Sequence, residues 1–349
     1  MRVQCEARLR SLSRIPCFPM KVAILHNLRP QDYNPSMPDD AFEEYDTCET
    51  VAAIAAALVP LGVGPVPVIA DRLLPRRLED GQFDFAFNIA EGEGRRCREA
   101  IPAAVCELLG IPYTRSDALT LAATLDKTVA RRIVAPDVPV ARGALIATHT
   151  DEPQLSNLSY PVIVKPNDEG SSKGIWRDSL CQDRSLAAER CRWLRDRYDC
   201  PALVEEFLPG AEVTVGVRGN GAQTEVLGLM QIAPAEESGE PFFYSVETKR
   251  DWRRSVRYRV PPCLPSATQN LIRAYALNAY HLLGCRDLAR IDFRLNALGQ
   301  PVFLECNPLP GLNPESGDIV ILSSGALSYE MLIQGVLHHA AERCGVSIP

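Results

Sequence analysis

From Met20 to about Leu125 the chain alternates short apolar runs with longer amphipathic ones. The run KVAILHN predicts a strand opening at Met20. DTCETVAAIAAALVPLG has helical periodicity and stops at a glycine. VGPVPVIA and FDFAFNIA read as strands, and REAIPAAVCELLG as a helix that stops at Gly110. Such alternation implies a parallel sheet covered by helices. The segment after FAFNIA, EGEG, is a loop at the carboxyl end of a strand, where open α/β sheets hold their ligands.

The middle of the chain repeats the pattern. DKTVARRIVAP predicts a helix closed by proline and YPVIVKP a strand; SLAAERCRWLRDRY predicts a helix and ALVEEFL another strand. From Val213 strands come first, VTVGVRG and EVLGLMQIA, followed by a polar loop around ESGEPFFYSVETKRDWRR. A long helix, ATQNLIRAYALNAYHLLG, precedes the strands LARIDFRLN and PVFLECN, and a helix follows Tyr329. There are no internal repeats and no low-complexity tract.

At 349 residues the chain has room for two or three domains. A net charge of −7 argues against nucleic-acid binding, and no apolar run reaches membrane-spanning length. The twelve cysteines contain no CxxC pair and no zinc spacing, so reduced thiols in a cytoplasmic protein are expected. Residues 1–19 hold four arginines and no apolar core, which reads as a disordered extension or an upstream start rather than a secretory signal. Of 37 basic residues only five are lysine: Lys21, Lys127, Lys165, Lys173 and Lys249. A chain that writes arginine elsewhere keeps lysine where a compact, flexible ammonium is useful.

The strongest local signal is ARIDFRLNALGQPVFLECNP, two strands around a hairpin turn. Arg290 and Asp292 share one face, Glu305 and Asn307 another, with Ile291, Phe293, Leu304 and Cys306 opposite. If the faces align, hard oxygen donors converge at a density that suits Mg²⁺ beside nucleotide phosphates. PLPGLNPESG follows, a rigid loop able to offer N–H groups to an anion. In VKPNDEGSSKG, Lys165 sits at a strand end where it can reach a phosphate, and Gly170, Ser171, Ser172 and Gly174 suit a flap; no Walker spacing is present. LVEEFLPGAE brings acids to a strand-to-loop junction. Taken alone, each of these also fits a solvated face or a surface turn.

Their order is more specific. LDKTVARR, VKPNDEGSSKG, VEEFLPGAE, FFYSVETKRDW, ARIDF and FLECNPLPG together resemble the ATP-grasp superfamily, and within it the D-alanine–D-alanine ligase family, over roughly residues 20–345. The resemblance implies an α/β chain, α+β overall, with a three-domain ATP-grasp fold: a Rossmann-like parallel-sheet domain at 20–126, a central subdomain at 127–212 and a catalytic domain at 213–349. It implies ATP and two Mg²⁺ ions, with Mn²⁺ as an alternative, small amino acid or carboxylate substrates and a cytoplasmic homodimer. Lys127 and Lys165 match the phosphate lysines, Glu205 and Leu208 the adenine pocket, Glu212 the ribose acid and Lys249 the γ-phosphate lysine. Asp292, Glu305 and Asn307 match the metal ligands. Arg290 and the Gly311 backbone match the stabilisers of the tetrahedral intermediate, Ser171 the flap serine and Ser316 the serine that binds the second substrate. Counting back from the helix, Glu43 falls at the acid that binds the first substrate's ammonium.

Three departures lie near the amino acid positions. The glycine-rich loop after the first strand is replaced by HNLRPQDYNPSMPDDAFEEYD. FNIAEGEG lacks the family's histidine, and Arg250 stands where a tyrosine is usual. The implied activity is ATP-dependent carboxylate–amine ligation through an acylphosphate, with substrates other than two D-alanines. D-alanine–D-alanine ligation itself and a non-catalytic ATP-binding protein are the alternatives. Arg250 and Lys173 are candidates to meet an acidic substrate.

Overall fold

The first residues to fall into register lie in a three-stranded parallel sheet. This computed structural model describes residues 18–30, 37–94, 96–236, 239 and 241–349, so the extension expected at 1–19 lies almost wholly outside the described residues. Strands β1 (Met20–His26), β2 (Val63–Ile69) and β3 (Phe85–Asn88) run in the order β2-β1-β3. The central strand is almost entirely buried, as a parallel strand covered on both faces must be. The helix Cys48–Leu58 starts at Thr47, whose hydroxyl accepts from the Thr50 N–H, and buries Val51, Ile54 and Leu58. The helix Tyr329–Cys344, last in the chain, shares that core through Leu332, Ile333, Val336 and Leu337. The chain therefore closes on its own first layer.

Strands β4 (Gly143–Ile146), β5 (Val162–Pro166), β6 (Leu180–Cys181) and β7 (Ala202–Glu206) form an antiparallel sheet in the order β4-β7-β5-β6. The helix Arg184–Tyr198, capped by Asp183, packs Ala187, Cys191 and Leu194 on Val162, Val164 and Val204. Strands β8 (Glu212–Arg218), β9 (Glu225–Pro234), β10 (Val256–Arg259), β11 (Leu288–Leu295) and β12 (Pro301–Asn307) form a second antiparallel sheet, ordered β10-β9-β8-β11-β12. The helix Ser266–Leu282 covers one face of it through Ile272, Ala276, Ala279 and Tyr280. The other face carries Thr214 and Asp292 toward a cleft.

Three differences from the sequence reading have local causes. The expected polar loop holds two short helices, Val246–Arg250 and Trp252–Ser255, too short to show a period. A helix at Ala118–Leu125 precedes the one at Lys127–Val134, with Asp126 turning the chain between them and accepting from the Val129 N–H. Among the described cysteines nine are free thiols but Cys48 is disulfide-bonded, against the expectation of reduced thiols throughout.

Candidate active site

A cleft of about 950 Å³, open to solvent, lies between the two antiparallel sheets. Antiparallel pairing of β5 with β7 sets Ile163 opposite Glu205 and Lys165 opposite Leu203. The Lys165 ammonium then lies 2.5 Å from the buried Glu205 carboxylate, which also meets Arg131 at 3.1 Å. Ile163, Phe207, Leu208, Ile232, Phe243 and Leu304 give this end an apolar lining. Leu208 contributes its carbonyl to Arg294 at 2.6 Å, and the same guanidinium pairs with Glu212 at 3.0 Å. Burial pushes the Glu212 carboxyl up to about 7, with Arg294 opposing.

The two faces of the hairpin do align. Arg290 pairs in register with Asn307, and Asp292 with Glu305. The register shifts after Asp292, so Phe293 faces Phe303 and Leu304 is the additional residue of a bulge. That bulge corrects one expectation: Leu304 joins Glu305 in lining the cleft instead of taking the opposite face. The Arg290 guanidinium meets Asp292 at 2.9 Å, Asp318 at 3.0 Å and Glu305 at 3.5 Å. Thr214 donates its hydroxyl to Asp292 at 2.9 Å. Lys127 reaches Glu305 at 3.3 Å. Burial pushes the Asp292 carboxyl up against Arg290, whereas Lys127 and Arg290 overcome burial at Glu305 and hold it at about 2. Lys249 lines the cleft without an ion-pair partner among the described residues, and burial lowers its pKa with Asp318 opposing.

The segment Gly170–Gly174 lies over the junction of this cleft and a second, smaller cavity of about 410 Å³. Ser171 and Ser172 adopt φ of 52° and 60°, and the Ser172 hydroxyl donates to the Tyr244 carbonyl at 2.7 Å. Ser171 lines both cavities. The Gly170 N–H donates to Glu44 at 2.5 Å and the Gly174 N–H to Asp40 at 2.8 Å, so acids of the N-terminal layer hold the segment down. Lys173 turns to Glu169 at 2.7 Å.

Not every candidate arrives. Glu43 pairs with Arg29 at 3.2 Å and Arg250 at 2.9 Å and lines neither cavity; its neighbour Glu44 enters the smaller one. Adjacent side chains in this irregular loop turn opposite ways. Arg250 is likewise taken up by Glu43 and Asp39, so it is not a free partner for a substrate acid. Gly311 and Ser316 are exposed and line neither cavity. Asn307 lines the smaller cavity, with its side-chain oxygen accepting from the Leu309 N–H at 2.8 Å. Sequence reasoning missed Thr214, Asp318, Glu44, Arg98 and Glu99. Glu91 lay in the EGEG loop already marked as a strand-end ligand position.

Comparison with known proteins adds an independent finding. A family model described as the D-ala D-ala ligase C-terminus matches residues 137–338. A D-alanine–D-alanine ligase of Geobacter sulfurreducens is 33% identical over 294 residues, spanning 82% of this chain and 86% of that one. Another, of an Anaeromyxobacter species, is 32% identical over 326 residues, 92% of this chain and 97% of the relative. A crystal structure of D-alanine–D-alanine ligase from Bacillus anthracis complexed with ATP superposes with a TM-score of 0.71 at 19% identity, covering 93% of this chain and 98% of that one. At that identity the likeness shows the fold, the three-part arrangement expected above.

Proposed function

The chain belongs to the D-alanine–D-alanine ligase family, and we propose that its cleft joins a carboxylate to an amine in two steps at the residues described above. It is an ATP-dependent ligase that forms a peptide-type C–N bond. The observation that carries the site assignment is the convergence of Arg290, Asp292, Glu305 and Lys127 at one end of a cleft whose other end is apolar.

ATP would lay its adenine against Phe207 and Leu208 and its ribose toward Glu212, with Lys127, Lys165 and Lys249 along the phosphates. Asp292, Glu305 and Asn307 supply hard oxygen donors, and a Glu305 held ionised at about 2 suits a divalent cation. Mg²⁺, or Mn²⁺, bound there would neutralise charge on the transferred phosphoryl group. A substrate carboxylate oxygen attacks the γ-phosphorus, the bond to the bridging oxygen breaks, and ADP leaves with that electron pair. The amine of the second substrate attacks the acyl carbon of the acylphosphate. Phosphate leaves with the C–O electron pair, and the ammonium proton passes to phosphate or water. Arg290 would hold the oxyanion of that second step, with the Gly311 backbone as the family's further donor and Ser316 for the second substrate. Ser171 would close over the reacting groups. Glu44 takes the ammonium-binding role that counting assigned to Glu43. Positioning, rather than acid–base chemistry, does most of the work.

Phosphate release from Mg²⁺-ATP, screened over D- and L-amino acids singly and in pairs, tests this reading. Asp292→Ala should lower turnover by about a hundredfold or more, the scale of losing several kcal/mol of charge stabilisation. Full activity in that variant would remove the metal assignment. A second reading, ligation of two D-alanines, is favoured by the named activity of the relatives. Family membership supports a cytoplasmic homodimer. No described helix is long and apolar enough to cross a membrane, and light scattering should give twice the 38.4 kDa chain mass.

A further inference from the structure

The smaller cavity holds more carboxyl groups than one amino acid ammonium can use. Glu44, Glu91 and Glu99 bring carboxylate oxygens within 4.8 Å of one another on one side, and Glu169 and Glu305 face them from the other. Four cations stand against these five acids, Arg290 reaching Glu305 at 3.5 Å. Arg98 takes Glu44 at 2.8 Å and Glu169 at 3.1 Å, Lys173 takes Glu169 at 2.7 Å, and Lys127 takes Glu305 at 3.3 Å. Glu91 and Glu99 are left over.

Glu99 is the decisive residue. It is 7% exposed, lines the cavity, and has no hydrogen bond or ion pair among the described residues. It stands at the N-cap of the helix Ala100–Leu109 yet its side chain makes no capping bond, so the carboxylate is not spent on local structure. The loop before it is built to return. The Gly92 N–H donates to Asn27 at 2.8 Å, and φ of 73° at Gly92 brings the chain so close to the Arg98 carbonyl that a Cβ would lie 2.0 Å from it. That return sets Glu91 beside Glu99. A buried carboxylate without a hydrogen-bond partner is costly, and burial pushes both carboxyls above their ordinary range although Arg98 opposes it. A cationic ligand would remove that cost. The cavity is open at one side rather than closed round an ion-sized space. It also shares Lys127, Glu169, Ser171 and Glu305 with the nucleotide cleft, so a molecule seated there would present its carboxylate end to the phosphates.

We propose that the cavity selects, as the carboxylate donor, an α-amino acid whose side chain carries a second ammonium, with Glu91 and Glu99 receiving that group and Glu44 facing the α-ammonium. The inference rests on the ligase reading above. D-alanine, with one ammonium and a methyl, would leave Glu91 and Glu99 unmatched.

The test compares diamino acids with neutral isosteres: diaminobutyrate against norvaline and ornithine against norleucine, in both enantiomers, with and without D-alanine. Phosphate release from Mg²⁺-ATP gives turnover, and calorimetry in the presence of Mg²⁺-ADP gives binding. The diamino acid should exceed its isostere by at least about tenfold in kcat/KM or in affinity, the scale of one partly desolvated ion pair. Glu91→Gln and Glu99→Gln should each collapse that ratio. Turnover of D-alanine or neutral isosteres at least as good as that of diamino acids overturns the proposal and leaves the ligase reading intact. Absence of turnover with every amino acid counts against the ligase reading, and the calorimetric ratio then decides the proposal alone. A rise in wild-type Tm with Mg²⁺, Mn²⁺ or Ca²⁺ and no nucleotide, lost in both variants, would make the cluster a metal site and overturn it. The wild-type isostere ratio decides even if a variant fails to fold.

Discussion

Glu99 and Glu305 show how one residue type is driven in opposite directions by its surroundings. Both are glutamates in the same cavity. Burial dominates at Glu99 and raises it to about 8, while Lys127 and Arg290 hold Glu305 at about 2. For Glu99 the folded value lies above the ordinary 4.5, so the folded state keeps its proton where the unfolded chain has lost it. Its contribution to stability is complete below the ordinary value and is lost as pH rises through the folded one. Glutamine mimics the protonated form, so Glu99→Gln should raise Tm relative to wild type above pH 8 and leave it nearly unchanged below 4.5. Calorimetric melting across that range checks the sign; a variant less stable than wild type at high pH would contradict the burial of an unpaired carboxylate. Glu305 has the reverse dependence, with stability present above its ordinary value and lost as pH falls through the folded one.

At the scale of elements, the segment after β5 depends on a single glycine. Gly174 has φ of 74°, and a Cβ there would lie 2.5 Å from the Pro166 ring and 3.2 Å from Leu194. Pro166 follows Lys165, so the conflict would be passed to the lysine that faces Glu205. Gly174→Ala should cost about 1–3 kcal/mol in denaturant unfolding and raise the KM for ATP. Unchanged stability would show that the backbone relaxes there. The bulge at Leu304 is a similar case. Strict alternation along PVFLECN sends Leu304 away from the cleft, and one added residue in the ladder brings it back. Alternation is visible in a sequence, whereas a bulge is settled by what the neighbouring strand offers.

Across the whole molecule, the N-terminal layer holds the rest through charge. Asp40 accepts from the Gly174 N–H and the Tyr198 hydroxyl, Glu44 from the Gly170 N–H, and Arg98 donates to the Asp168 carbonyl at 2.9 Å. Arg250 adds an outer link to Asp39 and Glu43. The Arg250 and Asp39 side chains are 36% and 56% exposed, so Arg250→Ala should cost less than about 1 kcal/mol of stability. It should also leave the ratio of kcat/KM for aspartate over asparagine as it is in the wild type. A loss of aspartate preference in the variant would restore the reading in which Arg250 meets a substrate acid.

The sequence by itself determined the elements with long, regular patterns, the parallel first layer and the order of the chemistry-bearing motifs. Those depend on periodicity and on residues two apart on one strand, which local geometry fixes. Its five lysines also carried signal, since Lys127, Lys165 and Lys249 all line the nucleotide cleft. Tertiary structure decided the rest. Whether Glu43 or Glu44 enters the cavity depends on how an irregular loop turns between Arg98 and Arg250, elements 54 and 207 positions away in the chain. The acidic cavity draws on the N-terminal loop, the return after β3, the segment after β5 and the end of β12. The N-terminal loop alone carries five acids in the eight residues 39–46, yet only its meeting with the other stretches leaves Glu91 and Glu99 without partners.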